Sequence, residues 1–248
     1  MAEANQKQNS AQHTAERGII SVVIIRITQF FIFLLLTLLF SIIIEWAGMG
    51  VSFWDEPGSK HSEQMLQQEL SYLNDDFKRS AIVAEPIKFA HNFANQFYIY
   101  LFEKTGFKKA IIWAASTPRS AKKGSFRNRL HQLYKNLSAY ILAMSTVTQI
   151  FAVRLAVLIL AMPAFVLLSF IGLIDGLVRR DIRRWSAGRE SSFIYHWAKK
   201  IIYPSLILPW IIYLATPVSI HPNLVVLPFA FLFALSITIT ASTFKKYL

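Results

Sequence analysis

The chain alternates on a coarse scale: long runs without a charged side chain are set apart by stretches crowded with charge. Eighteen uncharged residues separate Arg26 from Glu45, twenty separate Arg154 from Asp175, twenty lie between Lys200 and His221, and twenty-three between His221 and Lys245. About 20 apolar residues in a helix cross the roughly 30 Å of hydrocarbon in a bilayer. The pattern predicts an all-α membrane protein with four transmembrane helices, over residues 18–45, 138–178 (a long helix that includes the second crossing), 201–220 and 222–244. Pro204, Pro209 and Pro217 fall in or beside the third, where proline removes a backbone hydrogen bond. In the fourth, Ala230, Ala234 and Thr238 recur every four residues and let another helix approach closely.

Between the first and second crossings, residues 46–137 are the one stretch long enough to fold outside the bilayer, and they read as a small helical periplasmic domain. WDEPGS at 54–59 signals a turn. Leu66, Leu70, Leu73 and Phe77 then recur at helical spacing, and Ile87, Ala90, Ala94, Phe97 and Leu101 repeat it behind Pro86, a residue suited to a helix's first turn. Gly106 marks a helix stop, and the Pro, Gly and Ser of STPRSAKKGS at 116–125 mark a linker. From Phe126, Leu130, Leu133, Leu137, Ile141 and Met144 run at helical spacing straight into the second crossing, so that helix projects beyond the membrane. Residues 1–17, rich in Gln, Asn, Ala and Ser, read as a disordered cytoplasmic tail.

Composition agrees with this division. Of 248 residues, 54% are hydrophobic and 14% aromatic, too many for a soluble domain of this length. Cysteine is absent, which removes disulfides, thiolate metal sites and cysteine nucleophiles from consideration. The net charge of +12 suggests nucleic-acid binding until the positions are examined: twelve of the 26 Lys and Arg residues follow from membrane orientation alone. Lys7, Arg17 and Arg26 precede the first crossing, seven cations join the second to the third, and Lys245 and Lys246 follow the fourth, while TPVSIHPN at 216–223 has none. Short loops rich in Lys and Arg stay inside, so a multi-pass chain with both termini cytoplasmic is expected. No small-residue cleavage site follows the first crossing in IIEWAGMG, which reads as an uncleaved signal anchor.

One segment is awkward for that orientation. From Lys104 to Lys135 nine cations accumulate without an acid, among them Lys108, Lys109, Arg119, Lys122, Lys123, Arg127 and Arg129. Such a basic periplasmic face suits anionic phospholipid headgroups, an acidic periplasmic partner or translocating DNA. Direct nucleic-acid contact ranks last, because few stacking aromatics other than Phe107, Trp113 and Phe126 interleave the cations. A six-span alternative, with 87–103 crossing and 138–175 turning at Arg154, would place this segment inside. It would also bury Lys88, His91, Asn92, Asn95 and Gln96 in lipid, with no Gly or Pro to turn the chain near Arg154.

The chain carries little that reads as catalysis. It has no phosphate-binding loop, GxSxG or HExxH, and no histidine pair at ligand spacing. His91, beside Asn92 and Asn95, is expected to face solvent or a polar seam. Arg154 stands at the edge of an apolar run and is expected to snorkel to the headgroups, and Asp175 to pair with Arg179 one turn on. No enzyme activity and no cofactor or metal is expected.

The connection between the second and third crossings is more specific than orientation needs. In GLVRRDIRRW (176–185), Val178, Ile182 and Trp185 share a helical face while Arg179, Arg180, Arg183 and Arg184 lie around it; Gly188 ends that helix. In GRESSFIYHWAKK (188–200), Arg189 precedes Ser192, which caps a second helix carrying Phe193 and Trp197. Residues 179–200 thus form a basic cytoplasmic hairpin, and its Arg–Trp composition suits both a membrane interface and a protein-binding hot spot. This layout and these two motifs resemble a family of integrating conjugative element and conjugative plasmid membrane proteins, over essentially the whole chain. The resemblance implies an inner-membrane component of a bacterial DNA-transfer (type IV secretion) system, a four-span companion of the coupling-protein ATPase that acts with other conjugation-machinery membrane proteins. It supplies no catalytic residues.

Two functions follow as expectations: a non-enzymatic scaffold that recruits or stabilises the coupling ATPase, or a transporter or channel component, which the prolines of the third crossing suggest and the lack of a repeat or interior charges disfavours. A membrane enzyme ranks behind both. The topology is testable because the background is free of cysteine. In spheroplasts, Ser71→Cys and Ser125→Cys react with an impermeant thiol reagent and Ser186→Cys reacts only after lysis; protection of Ser125→Cys would favour six spans.

Overall fold

The structure, a computed structural model, describes residues 19–54, 58–76, 85–116, 126–185 and 192–244. Seven α-helices and one π-helical segment account for nearly all of these residues: α1 (Ile19–Val51), α2 (Lys60–Asp76), α3 (Pro86–Tyr98), the π segment (Ile99–Lys104), α4 (Phe107–Ala115), α5 (Phe126–Trp185), α6 (Ser192–Ala215) and α7 (Pro222–Thr243). Four of them, α1, α5, α6 and α7, are long and apolar enough to cross a membrane. The tail over 1–17, Phe77, the 117–125 part of the linker, Gly188, Arg189, Lys245 and Lys246 lie outside the described residues.

α5 is the mast of the fold. Its 60 residues extend about 90 Å, three times a bilayer's hydrocarbon thickness. The half toward Trp185 packs against α6 and α7. Gly172 and Gly176, four residues apart, bring α5 onto α7: a Cβ at Gly172 would stand 2.6 Å from the Ala234 carbonyl oxygen, and one at Gly176 2.6 Å from that of Thr238. Thr238 Oγ1 donates to the Gly172 carbonyl at 2.9 Å, and Ala230 is fully buried, so the small-residue face expected on the last crossing meets this one. Phe165 against Phe233 continues the seam, whose register shows that α5 and α7 run in the same direction.

The other half of α5 projects past the bundle and is clothed by the shorter helices. α3 lies against it through Phe89, Phe93 and Phe97, whose rings follow one another at 6.0 and 6.3 Å and end 6.2 Å from Phe151 of α5. Pro86 occupies the first turn of α3. The chain turns through Gly106, at φ +78°, into α4, whose Ala114 carbonyl lies 3.2 Å from His131 Nδ1. α3, the π segment and α4 therefore run antiparallel to α5. α1 leans on the same mast: Trp46 Nε1 donates to the Tyr140 carbonyl at 2.9 Å, and Ser41 Oγ to that of Leu214 in α6 at 3.0 Å.

Candidate functional site

α2 is a polar helix by composition, yet its inward stripe touches every long helix or its connection. The stripe steps His61, Met65, Glu69 and then Tyr72 with Leu73, the spacing of one helical face. At its start, His61 Nδ1 lies 3.0 Å from Oε2 of Glu45, a buried acid on α1. Trp54 stacks on the imidazole with centroids 3.9 Å apart and planes 5° from parallel, and its Nε1 donates to the Glu45 carbonyl at 3.4 Å. Gly48 makes that stacking possible, since a Cβ there would stand 2.1 Å from Trp54 Nε1.

The centre of the stripe is Glu69. Its Oε1 accepts from Arg154 Nη2 at 2.7 Å and Nε at 2.9 Å, and from Ser219 Oγ at 3.1 Å. Its Oε2 accepts from the Tyr213 hydroxyl at 2.8 Å. Arg154 is satisfied on its other side by the carbonyls of Thr216 (2.6 Å from Nη1) and Val218 (2.7 Å from Nη2). The two side chains are 2% and 0% exposed. One carboxylate and one guanidinium thus tie α2 to α5, to the end of α6 and to the α6–α7 connection. Tyr72 extends the contact to His221, with rings 4.9 Å apart, at the start of α7.

This corrects the expectation for Arg154, which does not snorkel to headgroups. The carboxylate of Glu69 and two main-chain carbonyls meet it inside the protein, where each hydrogen bond offsets part of the cost of removing the charge from water. A signal for the partner exists in the sequence. Glu69 lies three residues after Leu66, one before Leu70 and four before Leu73, on the apolar face, where an acid is costly unless paired.

The space around the pair, between Ser41, Glu45, Met65, Phe151 and Leu214, amounts to about 10 Å³, room for at most one water. Among the described residues no three His, Asp, Glu or Cys side chains gather as metal ligands. A larger groove of about 380 Å³, between α2, α3 and α5, is lined by His91, Asn95, Tyr98 and Gln149, and His91 faces solvent there.

The basic residues singled out in the sequence fall in two separate regions. Arg179, Arg180, Arg183, Arg184 and Trp185 form the last two turns of α5, which continues to Trp185 without a break. Arg179 pairs with Asp175 at 2.9 Å, the pairing expected of that acid. Trp185 is 92% exposed, Val178 and Ile182 are exposed along the same face, and Trp197, on the first turns of α6, is exposed beside Phe193. In the other region, Lys108 and Lys109 are exposed on α4, and hydrogen bonding to Glu103 raises the Lys108 pKa above its ordinary value. Arg129 is exposed on the first turns of α5, where Arg127 also lies. Arg119, Lys122 and Lys123 lie outside the described residues.

Removing either member of the joint leaves a buried charge without its partner, which costs about 3–5 kcal/mol. Arg154→Met and Glu69→Leu are each expected to lower the thermal unfolding midpoint of the detergent-solubilised protein sharply, and the double variant less than the sum. Additive losses in that double-mutant cycle would show that the two groups are not coupled.

Against known proteins, no curated sequence and no solved structure matches this chain. A family model does. It is described as IncC plasmid conjugative DNA transfer protein DtrJ-like, and it matches residues 53–245, a stretch that begins just after α1 and contains Glu69, Arg154, Tyr213 and the whole Arg–Trp region. The chain belongs to the DtrJ-like family of conjugative DNA transfer proteins.

Proposed function

We propose that the protein is a non-enzymatic inner-membrane scaffold of a type IV secretion system, which recruits or stabilises the coupling-protein ATPase through the cytoplasmic ends of α5 and α6. The reading places both termini in the cytoplasm and the α2–α4 layer in the periplasm. One observation carries it: where the charges are used. The buried ones are consumed in internal joints, Glu69 with Arg154 and Glu45 with His61, whereas the end of α5 presents arginines around an exposed Val178–Ile182–Trp185 stripe. Exposed aromatic and arginine side chains on one helix suit a protein partner. The same joints weigh against a channel or transporter, since among the described residues the buried polar groups Glu45, Glu69 and Arg154 face protein partners instead of a conduit.

The test separates recognition from orientation. Changing Arg183 and Arg184 together to Lys keeps both charges, so insertion and abundance stay normal in a membrane immunoblot. An ammonium cannot reproduce a bidentate guanidinium contact, and losing one such bond costs about 1.5–3 kcal/mol, roughly tenfold or more in affinity. Co-purification of the coupling ATPase and conjugative transfer are expected to fall together. If both are unchanged, the arginines serve orientation alone.

A further inference from the structure

At the end of the bundle opposite the Glu69–Arg154 joint, α5, α6 and α7 leave a cleft of about 260 Å³. Its walls are apolar, formed by Leu173 and Leu177 of α5, Ile202 of α6, and Ile237 and Ala241 of α7, and among the described residues the charged side chain lining it is Arg180. Leu173, Leu177 and Arg180 follow at helical spacing, so the guanidinium ends an apolar seam. Arg180 is 33% exposed, but its Nε is buried and makes no hydrogen bond. The neighbouring carboxylate, Asp181 Oδ1, is 3.7 Å from that nitrogen, beyond hydrogen-bond range. Buried guanidinium donors are seldom left unmet.

We infer that this cleft binds one anionic phospholipid, with an acyl chain between α5, α6 and α7 and the phosphate on the Arg180 guanidinium. The three helices are those read as membrane-crossing, so the cleft adjoins hydrocarbon, and an apolar chain fills what a free anion would leave empty. Arg183 and Arg184 lie in the last turn of α5, and Lys199 and Lys200 lie about two turns into α6, so the local potential favours an anionic headgroup over a zwitterionic one. The site differs from the surface read as docking the coupling ATPase: on α5 it uses Leu173, Leu177 and Arg180, whereas that surface is the Val178–Ile182–Trp185 stripe. A lipid held here would bind the three helices together at the end that carries the arginines.

The experiment uses the full chain purified in mild detergent and native mass spectrometry with dioleoylphosphatidylglycerol, dioleoylphosphatidylcholine and inorganic phosphate as probes. One phosphatidylglycerol per chain is expected to survive, with phosphatidylcholine held more weakly and phosphate at millimolar concentration not displacing it. Arg180→Gln should weaken retention about tenfold, the loss expected for a charge-assisted hydrogen bond. Leu173→Trp, which fills the cleft and leaves every charge in place, should weaken it as well, and Arg184→Gln, which lowers the local potential without touching the cleft, should weaken it much less than Arg180→Gln. Arg180→Lys, which keeps the charge and removes Nε, covers the case in which the Gln variant fails to fold and should lose retention several-fold. The inference is overturned if Arg184→Gln loses as much lipid as Arg180→Gln, which would mean diffuse charge attraction. Retention unchanged in the Arg180 variants, or displacement by phosphate alone, overturns it equally.

Discussion

A carboxylate and a guanidinium, 85 positions apart in the chain, meet at 2.7 Å with almost no access to solvent, and the arrangement of the long helices follows from satisfying them. Burial makes the pair exacting. Each charge loses its water, and the attraction between them compensates only if the remaining donors and acceptors are also met. Tyr213 and Ser219 complete the carboxylate, and the carbonyls of Thr216 and Val218 complete the guanidinium. The groups that do so belong to α2, α5, the last residues of α6 and the α6–α7 connection, so the geometry of one ion pair sets the register of four segments. A buried pair is not itself strong evidence of stability, because the attraction gained is set against two desolvation costs.

The rest of the bundle is organised around that joint by close packing. Between apolar helices in lipid, the hydrophobic effect discriminates little between one register and another, and small residues decide how near the backbones come. Gly172 and Gly176 against Ala234 and Thr238 provide that approach on the far side of the joint. On the near side, Trp54, His61 and Glu45 lock the end of α1 to the start of α2. The bundle is thereby pinned at one end by charge and along its length by close contact. The arginine-bearing end of α5 belongs to the same helix that carries Arg154, with Pro163 between the two.

Much of this was legible in the sequence. Four uncharged runs located the long helices, Pro86 and Gly106 located the start and end of a shorter one, and the four-residue recurrence of small residues located a helix contact, because each is a local signal carried by a period or a backbone constraint. The spacing of Asp175 and Arg179 gave a pairing for the same reason. The joint was not read, although both halves were visible. Arg154 at the edge of an apolar run admits snorkelling or burial, and the choice depends on a residue on another helix. Glu69 among Leu66, Leu70 and Leu73 asked for a cation, but periodicity names a face and not the partner opposite it. The stacking of Trp54 on His61 was equally hidden, since it depends on Gly48 of α1 lying beneath the ring.

If the Glu69–Arg154 pair holds α2 to the bundle, that short polar helix shares the stability of the long ones. Hydrogen exchange of the full chain in lipid nanodiscs, followed by mass spectrometry, reads this directly. The account predicts that peptides from residues 63–73 exchange as slowly as those from residues 147–160 of α5, and that Glu69→Gln, which weakens the pair without changing its volume, speeds exchange in α2 while residues 165–176 keep their protection. Rapid exchange across α2 in the unaltered protein, comparable to that of a solvent-exposed helix, would contradict it.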